Sequence, residues 1–343
     1  MSTAELLDEQ RVRQQLEGVL RERAGAGARV GALKRFPVGY SWLTYGFEAQ
    51  WQDAAGPQQR ELILRLGPPN GLFAPYRAAP QFLSLQALRG SGVPVPAVHW
   101  YGDDAEAFGA PWFICEKVPG RAPVMWGEKF SDHTRAALGV QLADALAALH
   151  RFEWRGTAIE TLGEAPTAAN AARAQVDYWA AEMRRWELRR QPMAEAVLAW
   201  LRAHCPEAPK VTVVHGDYRI GNFLCVDQRI TAILDWELVH LGDPHEDLGW
   251  MCQRTFRPGT PLICTLISRE ELYERYQRAS GIQVSPRLVH FYEVLGLFKF
   301  YVIDVGAERC FEDGRHNDLR LPSMAAQGAR LLLQLEKAIA EAP

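Results

Sequence analysis

Apolar and polar positions alternate differently in the two parts of this chain. Up to about residue 120 the apolar residues come in short, β-rich runs. Val, Tyr, Trp, Thr and Phe around a glycine in 33–51 predict a hairpin. The run RELILRLG at 60–67, broken by Gly-Pro-Pro-Asn-Gly, predicts a strand and then a loop. APQFLSLQALRGSG at 79–92 predicts a helix stopped by Gly90, Gly92 and Pro94, and PWFICEKVPG at 111–120 another strand. Further on the period becomes helical. Leu138, Leu142, Leu146 and Leu149 share one face, and Val176, Trp179, Met183 and Trp186 form a second apolar stripe, read as core. Ser268 followed three residues later by Glu271 predicts a capped helix that Gly281 ends. Between these helices VTVV (211–214), FLCV (223–226) and ITAIL (230–234) predict short strands. The expectation is an α+β chain with a small β-rich N-terminal lobe, 1–117, and a larger α-helical C-terminal lobe, 118–343.

Composition narrows the classes. The chain of 343 residues is long enough for two lobes with real cores. A formal net charge of -3 gives no reason to expect a nucleic-acid partner. No apolar run approaches the roughly 20 residues that span a bilayer, and the charged, helical start is no secretory signal, so no membrane is expected. The six cysteines contain no Cys-x-x-Cys pair, which predicts reduced thiols in the cytoplasm.

The candidate chemistry lies in VVHGDYRIGNFL, 213–224. Gly, Asp and Asn also make ordinary turns. Here, however, an apolar strand ends in His215-Gly-Asp217, with Asn222 five positions on, and the hairpin that follows ends in Asp235. Two carboxylates and an amide oxygen at neighbouring strand ends suit a hard divalent cation such as Mg²⁺. Protein kinases use His-Arg-Asp-x-x-x-x-Asn and a later Asp in the same order. The chain continues ILDWELVHLGDPHEDLGW.

Taken together, His-Gly-Asp-x-x-x-x-Asn, Leu-Asp-Trp-Glu and Gly-Asp-Pro-x-x-Asp-Leu resemble the aminoglycoside phosphotransferase and choline kinase superfamily. LILRLGPPNG, GYSWLTY and LDWE look closest to the branch fused to acyl-CoA dehydrogenases. The resemblance runs from about residue 33 onward and implies a two-lobed, protein-kinase-like fold using ATP and Mg²⁺. By it, Asp217 is the catalytic base, and Asn222 and Asp235 hold the metal. GYSWLTY (39–45), with Ser41 and Thr44, forms the loop over the nucleotide. Arg65 pairs with the nucleotide phosphates and Gln81 orients it by a hydrogen bond, in place of the usual Lys and Glu. FICEKVPG, with Cys115 and Lys117, forms the hinge whose backbone meets the adenine. No Gly-Lys-Ser/Thr occurs, so a P-loop is excluded. Trp236-Glu237 after Asp235 leaves no glycine for a flipping activation segment.

Several residues carry a plainer reading. His215 is expected to brace the loop and not to act as a base. Asp243 is expected to hold the catalytic loop, with Asp247 at a helix start. The role of Glu237 stays open. Arg184, Arg185, Arg189 and Arg190 read first as a solvated helix face, though one that would suit an anionic substrate better than a polycation. The functional expectation is a phosphotransferase acting on a hydroxyl of a small molecule, with a hydroxyacyl-CoA implied by the branch. An aminoglycoside or macrolide phosphotransferase is the alternative, and a catalytically weak nucleotide-binding protein the second alternative. A homodimer and the choice of ATP over GTP are left open.

Overall fold

Val12, Leu16, Val19 and Leu20 recur at helical spacing, and all are buried. A computed structural model of the chain describes residues 3–341 except 38, 40, 105, 125, 126, 316 and 317, and the side chains of residues 3 and 4 are also outside it. The chain divides into two compact units.

The first unit comprises 1–86, 96–118 and 310–318. It starts with α1 (Thr3–Leu6) and α2 (Glu9–Ala24). Asp8 caps α2 by accepting from the N–H groups of Gln10 and Arg11. An antiparallel sheet follows, made of β1 (Arg29–Phe36), β2 (Leu43–Asp53) and β3 (Gly56–Leu66), then, after α3 (Ala79–Leu88), β4 (Val98–Gly102) and β5 (Trp112–Glu116). Its order is β1-β2-β3-β5-β4. The apolar face of α2 packs with Tyr45, Phe47, Leu62, Leu64, Leu66 and Trp112 in one core. Leu62, Leu64 and Leu66 alternate into it, which puts Ile63 and Arg65 on the other, partly exposed face. Gly46 lies inside β2, where a Cβ would meet the Phe36 ring at 2.6 Å. The expected strand at 111–120 is shorter than its apolar run, at Trp112–Glu116.

The second unit comprises 87–95, 119–309 and 319–343. A single cut near residue 117 therefore misses two segments that pack with the other part of the chain. Its main elements are α4 (Asp132–Arg151), α5 (Ala171–Trp186), α6 (Pro192–Ala203), β6 (Thr212–Val214), β7 (Phe223–Val226), β8 (Arg229–Ile233), β9 (His240–Gly242), α7 (His245–Met251), α8 (Arg269–Ser280), α9 (Pro286–Glu312), α10 (Arg320–Ala325) and α11 (Gly328–Ala340). Ser268 accepts from the Glu271 N–H at the start of α8, and Gly281 ends the helix in the left-handed region. The leucine face of α4 and the Val176–Trp186 stripe of α5 are both buried. Trp186 lies against Gly306 of α9, where a Cβ would be 2.6 Å from its ring. The short strands form two ladders, not one unit. β7 pairs with β8 across a two-residue turn, whereas β6 pairs with β9, a strand inside what read only as a motif.

The alternation along β3 makes a stability prediction. Leu64→Ala should lower unfolding free energy by about 2–5 kcal/mol, because it opens a cavity in the core. Ile63→Ala, on the partly exposed face, should cost clearly less. Equal losses in denaturant titrations would contradict this assignment of the two faces.

Candidate active site

The stretch after β6 turns sharply, and Gly216 is what allows it. Gly216 has φ +82°, and a Cβ there would sit 2.5 Å from the Leu238 carbonyl oxygen. One buried carboxylate fixes the turn. Asp247 accepts the His215 N–H at 2.8 Å, the Gly216 N–H at 2.9 Å and the His150 ring Nε2–H at 3.2 Å. Burial alone would raise its pKa. The hydrogen bonds from the His150 ring and the His215 N–H help outweigh this and hold the carboxyl below its ordinary value. Tyr218, also buried, donates its hydroxyl to the Leu142 carbonyl at 2.7 Å and ties the same turn to α4.

His215 links the turn to the next strand. Its Nε2 lies 2.9 Å from the Leu234 carbonyl, so Nε2 carries the proton and donates. Its Nδ1 then accepts the Asp217 N–H at 3.1 Å. Burial pushes its pKa down, against the pull of Asp247, Asp217 and Asp235. With both nitrogens engaged and the ring neutral, His215 braces the loop and has no nitrogen left for a substrate proton.

Asp217 is ringed by donors. Its Oδ1 accepts from Arg219 Nε at 2.8 Å and Trp250 Nε1 at 2.7 Å. Its Oδ2 accepts from Asn222 Nδ2 at 2.6 Å, and the same nitrogen donates to the Asp217 carbonyl at 2.9 Å. Oδ2 thus has one protein donor where Oδ1 has two, and its remaining lone pair faces fewer competitors. Asn222 uses its nitrogen on Asp217, which leaves Oδ1 as an oxygen donor. The Asn222 carbonyl accepts the Leu234 N–H at 2.8 Å. Leu234 is therefore held by both Asn222 and His215, and Asp235 comes next, in the left-handed conformation with φ 66°. Asp217 and Asn222 are bonded to each other, and Leu234, the residue before Asp235, is bonded to Asn222 and to the His215 ring. Among the described residues no group of three or more His, Cys, Asp or Glu side chains gathers as a metal cage.

In the first unit, Arg65 lies opposite Thr44 of β2 and Phe113 of β5. Trp42, at the end of the loop carrying Ser41, packs edge-on against Tyr76 and Phe113 at 5.2 and 5.7 Å. Tyr40 of that loop is outside the described residues. The expected hydrogen bond between Gln81 and Arg65 is not formed. Gln81 is 3% exposed, and its Nε2 has no partner among the described residues. A neutral amide adds only about 0.5–1.5 kcal/mol net, too little to fix a long side chain without an ion pair. At the hinge, Cys115 is enclosed in the sheet, and burial pushes its thiol up to about 12. The Lys117 N–H is taken by the Glu61 carbonyl at 2.9 Å, and its ammonium by the Glu61 carboxylate at 2.6 Å. The Glu116 N–H goes to Ala97. The first N–H without such a partner among the described residues belongs to Val118.

Residues 33–291 match the model of the phosphotransferase enzyme family. The chain belongs to that family. It is 30% identical over 207 residues to acyl-CoA dehydrogenase family member 10 of Mus musculus, covering 59% of this chain and 19% of that protein. It is 29% identical over 266 residues to family member 11 of Pongo abelii, covering 71% and 33%. The chain thus spans a third or less of these relatives. Among solved structures, a Ralstonia eutropha protein assigned to the aminoglycoside phosphotransferases superposes with a TM-score of 0.76 at 20% identity, over 96% of this chain and 98% of that one. A choline/ethanolamine kinase family protein of Mesorhizobium loti gives 0.60 at 17%, over 97% and 96%. The fold is the kinase-like α+β fold.

In this phosphotransferase Asp247 lies in the first turn of α7, as expected, but it and not Asp243 braces the loop. Asp243 accepts from the N–H and Nδ1–H of His245, both at 2.8 Å, and so fixes the start of α7. Asp247, one turn further on, braces the loop. Sequence spacing cannot tell which turn of a helix faces a neighbour. Three other residues escaped the sequence reading. Arg219 and Trp250 hold Asp217. Lys299, 2% exposed, donates to the Gly216 carbonyl, lies 3.7 Å from Glu246, and sits 4.6 Å over the Trp250 ring. A lysine inside the apolar run GLFKFYVI was the available signal, because an unpaired buried charge is costly. The Arg184–Arg190 cluster behaves as a solvated face. Arg184 pairs with Glu187 and Glu195, and Arg185 with Glu182. No helix among the described residues is long and apolar enough to cross a membrane.

Glu246 also takes the His240 Nε2–H at 3.0 Å, while His240 Nδ1–H donates to Leu238. Burial opposes the imidazolium, but Glu246 and the Leu238 carbonyl outweigh it and raise the His240 pKa. The folded state therefore holds this proton more tightly than the unfolded chain. The stabilisation is fully present below the unfolded pKa of about 6.5 and is lost as pH rises through the raised folded value. The difference in melting temperature between wild type and His240→Gln should shrink from about pH 6.5 upward. A difference that widens with pH would contradict it.

Proposed function

We propose that the chain moves the γ-phosphoryl group of ATP to a hydroxyl of a small molecule, with Mg²⁺, and that the acceptor is a hydroxyacyl-CoA. The observation carrying this reading is the hydrogen-bonded arrangement of Asp217 and Asn222, joined through Leu234 to Asp235. An ordinary turn needs no such buried bracing by Asp247, His150 and Lys299. Phosphoryl transfer depends mainly on positioning and charge neutralisation, and a loop held this firmly supports both.

Asp217 takes the hydroxyl proton on Oδ2 as the oxygen attacks. Arg219 and Trp250 keep Oδ1 occupied and the carboxylate oriented. Asn222 Oδ1 and the Asp235 carboxylate fit Mg²⁺, a hard cation that binds through few protein oxygens and keeps room for phosphate. When bound, that ion neutralises charge on the phosphate oxygens. Arg65 pairs with those oxygens, where its forked guanidinium suits them. Ser41 and Thr44 belong to the loop over the nucleotide. Of the hinge donors, the Val118 N–H is the one to meet adenine. The acceptor class follows from the relatives' names, which carry acyl-CoA chemistry, joined to this family's need for a hydroxyl. Six free cysteines agree with a reducing, cytoplasmic setting.

ADP release should be followed with Mg·ATP and a panel of hydroxyacyl-CoAs, aminoglycosides and macrolides. Turnover with a hydroxyacyl-CoA is expected. Turnover with antibiotics alone would replace the acceptor, and nucleotide binding without turnover would leave only a binding protein. Asp235→Ala should abolish Mg²⁺-dependent nucleotide binding in a folded protein. Unchanged Mg·ATP affinity would remove Asp235 from the metal site.

A further inference from the structure

The segment after α7 has two sides. On one, Trp250 donates to Asp217, and Phe256 lies under the Arg219 guanidinium at 5.4 Å. On the other, Cys252, Gln253, Arg254 and Arg257 line a pocket of ≈ 180 Å³ in the second unit, with Arg254 exposed at it. Arg254 and Arg257 of this segment meet Arg269 from the start of α8 and Lys337 from α11 there. Only two carboxylates line the cavity, Glu293 and Glu341. Glu293 is taken by Arg269 at 2.5 Å and Glu341 by Lys337 at 3.6 Å. Among the described residues, neither Arg254 nor Arg257 forms an ion pair.

The wall also holds polar groups without partners. Gln253 is 3% exposed, and both its amide oxygen and its nitrogen lack a hydrogen bond among the described residues. His290 Nε2 is buried and in the same condition. Gly296 of α9 makes room for the Gln253 amide, since a Cβ there would collide with it. Buried polar groups are normally satisfied, and leaving one unpaired costs roughly 1–3 kcal/mol. Gathered cations repel one another. Burial, together with the charges of Arg269 and Arg254, pulls the Arg257 pKa down. An anion with several acceptor oxygens would satisfy both the unpaired cations and the unpaired amide.

We propose that this pocket binds a phosphate-bearing anion, namely the diphosphate or 3′-phosphate of the CoA portion of the acceptor. This rests on the hydroxyacyl-CoA reading above and adds to it the residues that would recognise the acceptor. Pockets for whole drug-sized ligands take roughly 300–1,000 Å³. The smaller cavity here suits one anionic group, with the rest of the acceptor outside it. Arg254 and Arg257 supply the free charge, Arg269 and Lys337 the supporting charge, and Gln253 and His290 the neutral hydrogen bonds. The location also matters, because the wall of this pocket and the support of Asp217 belong to the same short segment. The cationic pocket thereby replaces the Arg184–Arg190 face as the source of selectivity against polycationic acceptors.

The test uses the full chain with its nucleotide site filled by Mg²⁺ and a non-hydrolysable ATP analogue. Pyrophosphate, CoA and dephospho-CoA are titrated calorimetrically at low and high salt. Wild type should bind CoA and pyrophosphate, more weakly as salt rises. Arg254→Gln removes no internal bond and should weaken CoA binding at least about tenfold with melting temperature and nucleotide affinity unchanged. Arg257→Gln should do the same, but it also removes a bond to the Cys252 carbonyl, so Arg254→Gln decides. Equal binding of CoA and dephospho-CoA assigns the diphosphate, and a loss with dephospho-CoA the 3′-phosphate. Equal CoA affinity in wild type and Arg254→Gln would overturn the proposal, as would binding of neither CoA nor pyrophosphate. Arg254-dependent CoA binding without phosphorylation of any hydroxyacyl-CoA would uphold the pocket and sink the acceptor reading instead.

Discussion

The carboxylate of Asp247 holds the His215–Asn222 loop in place. It accepts two successive backbone N–H groups, from His215 and Gly216, and a ring N–H from His150. Hydrogen bonds to a charged partner contribute about 1.5–3 kcal/mol each, and removing the acceptor would strand buried donors. From that anchor the other contacts follow. The two N–H groups fix the chain at its left-handed glycine. His215, so fixed, reaches Leu234, which is also bonded to Asn222 and precedes Asp235. The loop is held largely by bonds from buried side chains to its backbone, which a substitution at a neighbouring surface position cannot easily disturb.

Charge is balanced around this anchor and not left to solvent. Lys299 and His240 share Glu246, and Lys299 holds the Gly216 carbonyl on the opposite side of the turn from Asp247. The turn is thus gripped through both its N–H groups and its carbonyl. Trp250 connects the two sets of contacts, with its indole N–H on Asp217 and its ring under the Lys299 ammonium. Such interior networks are costly when half satisfied and rigid when complete. Rigidity suits a base that must meet one hydroxyl in one orientation.

Much of this was legible in the sequence, for identifiable reasons. Leu138 to Leu149 and Val176 to Trp186 kept a helical period, and β7 and β8 were bounded by turn residues, so their structures could be read. The motif spacing drew attention to Asp217 and Asn222, and the structure places these two in hydrogen-bond contact, with Asn222 bonded to the residue before Asp235. Pairing between distant segments was not legible. β6 was placed with its sequence neighbours because its true partner, β9, is three residues long and carries no alternation to speak of. The loop brace was assigned to Asp243 instead of Asp247 because both lie at or near the start of one short helix, and only tertiary packing decides which faces the loop. Lys299 was invisible as a function until its neighbours, 83 residues away in the case of Gly216, were known. The same limit explains why a charged helix face drew attention in the sequence while the unpaired Arg254 and Arg257, from a stretch without periodicity, did not.

The central claim is that Asp217 accepts the proton of the phosphoryl acceptor and that the surrounding bonds serve that act. Asp217→Asn tests it most directly. The substitution keeps the shape and an oxygen for Arg219 and Trp250. It sets one amide nitrogen toward another at Asn222, so a stability loss of about 1–3 kcal/mol is expected and must be measured alongside. With a turnover assay in hand, kcat should fall by roughly 10²- to 10⁴-fold, the share general-base catalysis typically supplies, while Mg·ATP affinity holds. Full turnover by a folded Asp217→Asn variant would contradict the account and reduce HGDYRIGN to a well-braced turn.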